Sequence, residues 1–413
     1  MKYAILVGDG MADVPIEELS GRTVLETART PNMDWIAKNG SGGRAVTVPH
    51  GMEPGSDVAN MSIIGYNPKE VYSGRGPFEA ASYGIGLAED EVAFRMNFVT
   101  VTDNTMVDYS AGHISTRDSQ IFADVLNKEL VIPGVKFYAG VSYRNLVVIK
   151  ENLLDEGNGI LECTPPHDIS GQKIDKYLPK GKGAKFILLL MERSVEILSR
   201  HDLNQVKIDL KENPANMIWL WGYGKKPSLQ GLKERYGVSS GIISAVGLLK
   251  GIGKVLGMEV IDVPGATGYY DTDYSAKARY AIEALKRMDL IFVHVEAPDE
   301  AGHNGDLRNK ILAIENFDSK VVGPILEYLK SIGNYRVLVL PDHPTPVKLM
   351  THTDTPVPFA MCGTGTESDN MQAFTEKESD KGGFGTVNGW DLMGMLTTKN
   401  NLNRTIVDGR DNC

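Results

Sequence analysis

The sequence predicts an α/β protein with a mostly parallel sheet flanked by helices and an inserted smaller α/β domain. Apolar runs typical of buried parallel strands alternate with amphipathic helical stretches at both ends of the chain. Between about residues 81 and 213, apolar and polar residues alternate instead, which indicates a half-exposed sheet. The 413 residues also exceed one ordinary core and suit two domains.

The first segment begins with a strand and continues with two helices. Residues 2–7, KYAILV, form a continuous apolar run that ends just before Asp9, as a buried parallel strand does. Thr30 is the predicted N-cap of a helix that stops at Gly40, with a proline in its first turn. A further helix is predicted to begin at Ser56, in SDVANMSIIGY.

The middle segment has its own strands and helices. Residues 92–101 and 143–150 alternate in polarity and are predicted strands. Residues 119–130 are a predicted helix, and residues 185–200 are a predicted amphipathic helix.

Strand and helix alternation returns after Pro214. The predicted strands lie at 216–224, 240–246, 258–268, 290–298 and 335–343, and the predicted helices at 275–288 and 308–330. Repeated strand–helix units favour a parallel sheet covered on both faces. The predicted domains are therefore 1–80 with 214–413, and an insert at 81–213.

Composition limits the possible partners. The net charge of −10 argues against nucleic acid and anionic membranes, although a metal could still attract a small anionic substrate. The longest apolar run, at 186–191, is too short to span a membrane. Cys163, Cys362 and Cys413 form no CxxC pair, which favours a reducing cytoplasm over a disulfide framework. The oligomeric state stays open.

Acid, hydroxyl and imidazole residues lie where apolar strand-like runs end. The carboxyl ends of parallel strands form the usual ligand edge of an α/β sheet. Carboxylates and imidazoles there suit divalent metals, and a serine at a helix start suits a metal-activated nucleophile. These candidate residues are Asp9, Ser56, Asp299, His303, Asp342, His343 and His352.

Most of these candidates also have a structural interpretation. Ser56 could be an ordinary helix N-cap, and the Asp299–His303 pair at i, i+4 could be a solvated surface pair. Asp9 could cap a turn, Asp342 could cap the start of a helix, and His352 could be an exposed loop histidine. His294, inside a strand, is expected to contact a metal ligand rather than a metal.

Longer motifs carry a family resemblance over nearly the whole chain. They are TPNMD at 30–34, GSDVANMSIIGY at 55–66, GRGPFEAAS at 74–82, VPGATG at 263–268, HVEAPDEAGH at 294–303 and PDHPTP at 341–346. With Asp9-Gly10, they resemble the archaeal type of cofactor-independent phosphoglycerate mutase, in the alkaline phosphatase superfamily. This implies an alkaline-phosphatase-like metal-binding domain with an inserted phosphotransferase domain that acts as a lid.

The resemblance also implies a mechanism and a metal set. Ser56 would become phosphoserine while 3-phosphoglycerate and 2-phosphoglycerate interconvert, without 2,3-bisphosphoglycerate. Two divalent ions are implied, with Mn²⁺ expected and Mg²⁺, Co²⁺ or Zn²⁺ as replacements. One would be held by Asp9, Ser56, Asp342 and His343, and the other by Asp299, His303 and His352.

Substrate-handling residues follow less directly from the resemblance. His113 in SAGHIST corresponds to a proton-transfer or substrate histidine, and Lys250 could reach the phosphate from the first domain. Further candidates for holding the substrate are Arg117, Arg144, His167 and Asp168. Any of these could instead be a solvated surface charge.

Three other functions stay open at this point. Residues 201–216 contain no arginine where the archaeal mutases are arginine-rich, which leaves open a bacterial branch proposed to include homoserine kinases. A conventional kinase is disfavoured because no P-loop is present. A metal-dependent phosphatase is disfavoured by the large insert, and a non-catalytic phosphometabolite-binding protein by the complete set of ligand-type residues.

Overall fold

The computed structural model describes residues 1–398, which fall into two compact units. Unit 1 comprises Met1–Tyr72 and the described residues 229–398, and unit 2 comprises Ser73–Ser228. The boundaries predicted at 80/81 and 213/214 are displaced, because residues 73–80 and 214–228 belong to unit 2.

The described residues form thirteen strands in two sheets. The strands are β1 Lys2–Gly8, β2 Ser41–Val46, β3 Glu91–Thr102, β4 Thr105–Asp108, β5 Val135–Val141, β6 Arg144–Lys150, β7 Met217–Lys225, β8 Ser240–Ile243, β9 Glu259–Val260, β10 Leu290–Val295, β11 Tyr335–Leu340, β12 Val357–Gly363 and β13 Gly385–Asn388.

Sixteen α-helices complete the fold of residues 1–398. They are α1 Val24–Thr27, α2 Pro31–Lys38, α3 Ser56–Ile63, α4 Pro68–Val71, α5 Gly76–Ser82, α6 Thr116–Glu129, α7 Ala184–Leu198, α8 Asp202–Asp209, α9 Leu232–Tyr236, α10 Gly247–Val255, α11 Tyr274–Arg287, α12 Ala297–His303, α13 Leu307–Phe317, α14 Gly323–Ile332, α15 Glu376–Ser379 and α16 Leu392–Thr397.

The sheet of unit 1 has eight strands in the order β13-β2-β12-β11-β1-β10-β8-β9. It is mostly parallel, as predicted, and β12 is the strand that runs antiparallel to both of its neighbours. In the centre, Val7 of β1 lies opposite His294 of β10 and Leu340 of β11. The carboxyl ends of these three strands therefore meet at one edge of the sheet.

The far edge, formed by β2, β12 and β13, was not predicted. Ser41–Val46 is SGGRAV, whose glycines do not resemble an apolar strand. They are needed because the strands approach closely: a Cβ at position 42 would lie 2.3 Å from the carbonyl oxygen of Phe359. This strand depends on its neighbours rather than on its own propensity.

Two predicted helices differ in detail. The helix predicted at 308–330 is divided by a π-helical turn at Asp318–Val322. The carboxylate of Asp318 accepts hydrogen bonds from the backbone N–H groups of Asn32 and Met33. Asp318, and not the Thr30 side chain, therefore caps the start of α2. A cap supplied from elsewhere in the chain has no local sequence signal.

Unit 2 has a five-stranded sheet in which all strand pairs are antiparallel. The segment 216–224, predicted as a strand of the first domain, is β7, which pairs with β3. Its residues Trp219 and Trp221 are buried in the core of unit 2, which explains the displaced boundary.

Cys163 and Cys362 are unpaired, while Cys413 lies outside the described residues. Burial raises the pKa of both described thiols to about 12. Among residues 1–398, no helix is both long and apolar enough to cross a membrane.

Candidate active site

The carboxyl edge of the unit 1 sheet collects the predicted metal ligands. Asp9 follows β1 directly, and Asp342 and His343 follow β11. Asp299 and His303 lie on α12, which follows β10. The parallel register of β1, β10 and β11 brings these residues together although more than three hundred positions separate some of them in the chain.

Asp9, Asp342 and His343 form one ligand group, fully or almost fully buried. Nε2 of His343 lies 3.5 Å from Oδ1 of Asp9 and 3.7 Å from Oδ2 of Asp342. Asp342 also accepts hydrogen bonds from the backbone N–H groups of Gly10 at 3.2 Å and His343 at 2.9 Å. No described helix begins at Asp342, so its carboxylate is not a helix cap.

Asp299, His303 and His352 converge in the same way. Nε2 of His303 is 3.3 Å from Asp299 Oδ2, and Nε2 of His352 is 3.4 Å from Asp299 Oδ1. Burial alone would raise the pKa of Asp299, but the neighbouring imidazoles of His303 and His352 hold it well below its usual range. His343 also lies close to Asp299 and His352, so it stands between the two groups.

Ser56 is the first residue of α3, and Gly55 is the N-cap. The Ser56 hydroxyl is not used as a cap, and its Oγ lies 3.2 Å from Nε2 of His343. One turn later, Nδ2 of Asn60 donates to the Ser56 carbonyl at 2.8 Å and to Oδ2 of Asp342 at 2.7 Å. The side chain of Asn60 thus ties the start of α3 to the ligand edge.

The donor set fits divalent cations. Oδ1 of Asp9 is buried without a hydrogen-bond partner, and burial followed by the nearby Asp342 and Asp299 carboxylates raises the pKa of Asp9. Nε2 of His303 and Nε2 of His352 lie only 2.9 Å apart.

The other ring nitrogens of this histidine pair face backbone carbonyls. Nδ1 of His303 is 3.1 Å from the Met350 oxygen, and Nδ1 of His352 is 3.2 Å from the Pro54 oxygen. Donation from both Nδ1 atoms leaves two Nε2 lone pairs facing each other, which is unfavourable without a cation or proton. Carboxylate and imidazole donors with outward-facing N–H groups are typical of metal sites.

Behind the first group lies a buried network that contains His294. Its Nε2 is 3.4 Å from Asp9 Oδ2, and its Nδ1 is 3.4 Å from Glu296 Oε1. Glu296 forms an ion pair with Lys277 at 2.5 Å and accepts hydrogen bonds from Ser244 and Ala245. His294 therefore contacts a candidate ligand, as its position in a strand predicted.

In unit 2, a strained loop carries His113. Ala111, Gly112 and His113 have φ values of +49°, +72° and +52° in succession. Oδ2 of Asp108 accepts from the Gly112 N–H at 2.8 Å, and Ser110 Oγ accepts from the His113 N–H at 3.1 Å. Left-handed non-glycine residues cost free energy and occur preferentially at functional sites.

A basic cluster occupies the same unit, and we define it as Arg75, Arg95, Arg144 and His167. Arg95 is buried, pairs with Glu79 at 3.0 Å and stacks 4.1 Å from the ring centroid of Trp221. Burial lowers the pKa of His167, as do the charges of the three arginines, while Asp168 opposes them. All three arginines therefore lie near enough to His167 to influence its charge.

The contacts of the remaining residues predicted to bind substrate do not indicate their roles. Asp168 lies 3.6 Å from His167, from its Oδ1 to the ring Nε2. Arg117 is exposed in the first turn of α6 and forms no ion pair with any residue between 1 and 398. Nζ of Lys250 contacts Asp262 at 2.6 Å. The roles of these residues stay predictions.

Several of the residues described above, in either unit, were not predicted from the sequence. Asn60 and Thr345 stand inside the motifs GSDVAN and PDHPTP, but nothing local distinguishes an orienting side chain from a packed one. Arg75 stands in the motif GRGPFEAAS, whereas Arg95 lies inside a strand. A signal did exist for Asn60, because it is four residues after Ser56 and shares its helix face.

Comparisons with known proteins identify one family. Residues 37–204 match the family model described as 2,3-bisphosphoglycerate-independent phosphoglycerate mutase. A protein with that name from Methanosarcina mazei is 54% identical over 96% of this chain and 99% of its own length. One from Geobacter sulfurreducens, named as a probable mutase of this kind, is 46% identical over 96% and 99%.

Two solved structures resemble the whole chain. The PH0037 protein from Pyrococcus horikoshii aligns with a TM-score of 0.81 at 30% identity, over 96% of each chain. A cofactor-independent phosphoglycerate mutase from Thermoplasma acidophilum aligns with a TM-score of 0.66 at 27% identity, over 96% of this chain and 99% of its own. This chain belongs to the family of 2,3-bisphosphoglycerate-independent phosphoglycerate mutases.

Proposed function

We propose that this chain interconverts 3-phosphoglycerate and 2-phosphoglycerate through a phosphoserine at Ser56, without 2,3-bisphosphoglycerate. The observation that carries the proposal concerns the Ser56 hydroxyl. It does not cap α3, and its Oγ lies 3.2 Å from Nε2 of His343, within a dense group of ligand-type residues. Membership of a family named for this glycolytic reaction supports it. The same names favour a mutase over a homoserine kinase or a phosphatase.

We propose two divalent ions, Mn²⁺ in the first place, held by the residues that converge at the sheet edge. Asp9, Ser56, Asp342 and His343 would hold one, and Asp299, His303 and His352 the other. Such ions, when bound, lower the pKa of the serine hydroxyl and offset negative charge on the phosphoryl group.

The protein residues have defined tasks in this scheme. Ser56 Oγ bonds to phosphorus as the bond to the substrate 3-oxygen breaks, and the serine proton passes to that departing oxygen. The glycerate 2-hydroxyl then takes the phosphoryl group, and its proton returns to Ser56. The first N–H groups of α3 stabilise the phosphoserine. We assign proton transfer to His113 and contact with the phosphate to Lys250.

We propose that the basic cluster of unit 2 binds the substrate carboxylate or phosphate. Arg144 and His167 were predicted for this task together with Arg117 and Asp168. The positive charges that lower the pKa of His167 are those that an anion would neutralise.

Replacing Arg144 by methionine should raise KM more than it lowers kcat, because the change removes substrate binding rather than a catalytic group.

The test is a coupled assay of Mn²⁺-loaded protein with 3-phosphoglycerate and no 2,3-bisphosphoglycerate. We expect 2-phosphoglycerate from the wild type and none above background from Ser56→Ala. Release of inorganic phosphate without 2-phosphoglycerate would identify a phosphatase. Phosphorylation of L-homoserine with ATP, without mutase activity, would identify a kinase.

We further propose that the enzyme works in the cytoplasm. The lack of a CxxC motif and the unpaired state of Cys163 and Cys362 support a reducing compartment. Fractionation of source cells with detection by antibody would test this assignment.

A further inference from the structure

Thr345 lies between the two ligand groups, in the loop after β11. Its side chain is fully buried. Its hydroxyl donates a hydrogen bond to Oδ1 of Asp299, and the same Oγ1 lies 3.3 Å from Nδ1 of His343. One hydroxyl therefore contacts a residue of each group.

The direction of these two bonds follows from chemistry. An ionised carboxylate only accepts hydrogen bonds, so Asp299 takes the single hydroxyl proton of Thr345. Toward His343, Oγ1 can then only accept a hydrogen bond, so Nδ1 of His343 carries a hydrogen. A neutral imidazole protonated at Nδ1 has its lone pair on Nε2, the atom that faces Ser56, Asp9 and Asp342.

The three histidines of the site are oriented by different kinds of group. Nδ1 of His303 faces the Met350 carbonyl, and Nδ1 of His352 faces the Pro54 carbonyl. Nδ1 of His343 instead faces a side-chain hydroxyl. A substitution can remove this orienting group without altering the backbone.

Thr345 is itself held by a buried ion pair. Nζ of Lys310, on α13, donates to the Thr345 carbonyl at 2.8 Å and to Asp13 Oδ2 at 2.8 Å. The same Asp13 oxygen accepts from the Val347 N–H at 3.1 Å. Lys310 and Asp13 thus connect the loops after β1 and β11, and the position of the Thr345 hydroxyl follows from this connection.

We propose that Thr345 is a positioning residue that couples the two ligand groups. Its hydroxyl holds Asp299 in place and keeps the Nε2 lone pair of His343 directed at Asp9 and Asp342. This inference rests on the proposed metal site. It predicts that loss of the hydroxyl weakens metal binding and lowers kcat, while KM for 3-phosphoglycerate changes little, because Thr345 acts through the ligands and not on the substrate.

The test compares Thr345→Val, which removes the hydroxyl at nearly constant volume, with Thr345→Ser, which keeps it. Thr100→Val is the matched control, since its similarly buried hydroxyl bonds to the Pro214 carbonyl in unit 2. Mn²⁺ binding is measured by calorimetry on metal-free full-length protein. We expect Thr345→Val to bind Mn²⁺ about 10- to 100-fold more weakly, and the other two variants to behave like the wild type.

Two results would overturn the inference. One is wild-type Mn²⁺ affinity and kcat in Thr345→Val. The other is equal loss in Thr345→Ser, which would assign the effect to the threonine methyl. That methyl carbon would lie 2.8 Å from a Cβ at position 302, where the chain has glycine. Thermal unfolding of the metal-free variants shows whether each is folded.

A measurement on the wild type keeps the test independent of variant folding. Nitrogen-15 NMR of metal-free protein reports the tautomer of His343, identified by comparison with His343→Gln. Hydrogen on Nδ1 supports the inference, and hydrogen on Nε2 contradicts it. If the wild type lacks mutase activity while Mn²⁺ binding still depends on the Thr345 hydroxyl, the proposed reaction fails and the positioning role stands.

Discussion

At the scale of single residues, the site is defined by polar atoms that have no adequate partner within the described part of the chain. Oδ1 of Asp9 is buried and unbonded, and two imidazole nitrogens lie 2.9 Å apart with their other nitrogens already engaged. Burying an oxygen such as Oδ1 of Asp9 without a partner costs about 1–3 kcal/mol unless something compensates, whereas His303 and His352 are only partly buried. A bound cation would remove this cost.

Removing one imidazole should therefore affect one ion. We expect His303→Gln to lose the ion held with Asp299 and His352, so that metal content after dialysis falls from two per chain to one. Elemental analysis and calorimetry measure this change. His50→Gln, an exposed histidine of unit 1, serves as the control and should retain two ions. Two ions bound with unchanged affinity in His303→Gln would contradict the assignment.

At the scale of elements, charged side chains connect neighbouring strands and helices of unit 1. Asp289, at the start of β10, accepts from the Ser239 hydroxyl at 2.6 Å and from its N–H at 3.0 Å, next to β8. Lys277 of α11 donates to Glu296, just beyond β10. The first connection is partly exposed and the second is fully buried, so their energetic contributions should differ.

The Asp289 connection should depend on pH. Hydrogen bonds from Ser239 lower the pKa of Asp289 in the folded protein. Its stabilisation is therefore complete above the unfolded pKa of about 3.9 and is lost as pH falls through the lower folded pKa. After allowance for solvent screening, Asp289→Asn should cost about 0.5 kcal/mol at pH 7.

Urea unfolding of wild type and Asp289→Asn at several pH values between 7 and 3 tests this expectation. The difference in unfolding free energy should be constant above about pH 5 and become smaller as pH falls below the unfolded pKa of about 3.9. A difference that grows on acidification would contradict it.

The buried Lys277–Glu296 pair should respond more strongly. Lys277→Met leaves the Glu296 carboxylate buried without its cation, which typically costs about 3–5 kcal/mol. Lys286→Met, on the same helix, breaks an exposed pair with Glu283 and should change stability too little to resolve. Urea unfolding of both variants gives the comparison. Equal effects would show that burial does not determine the contribution of the pair.

At the scale of the whole molecule, the described chain has two separate principal cores. One consists of unit 1 residues around β1, β10 and β11, and the other of unit 2 residues around β3, β6 and β7. Unit 2 falls within the roughly 50–200 residues of an ordinary domain. A unit with its own core and a complete sheet is expected to fold alone.

We therefore expect a fragment of residues 73–228 to unfold cooperatively, with a near-ultraviolet signal from Trp219 and Trp221. The matched control is residues 81–213, the insert predicted from the sequence. It lacks β7, which pairs with β3 and carries both tryptophans, and it should not form a cooperative structure. Circular dichroism with urea titration measures both fragments. Cooperative unfolding of the shorter fragment would contradict the boundaries seen in the structure.

Much of the fold was predictable because its central strands are locally distinctive. KYAILV, LIFVHV and YRVLVL are apolar runs that end in polar residues, and parallel strands bring those ends to one edge. The glycine-rich β2 and the break between α13 and α14 were missed. The cause for β2 is the close approach of β12, a contact distant in the chain, whereas the break has a local signal in Pro324, in the first turn of α14.

The sequence by itself determined the chemical inventory of this protein: carboxylates, imidazoles and a serine at the ends of apolar runs, within long family motifs. Only the tertiary structure decided their geometry. It placed the cap of α3 on Gly55 and not on Ser56, put His343 between two ligand groups, and set Thr345 against both. The physical reason is that the residue types of the site can be read from short stretches of sequence. A distance of about 3 Å between residues hundreds of positions apart instead follows from strand register and packing.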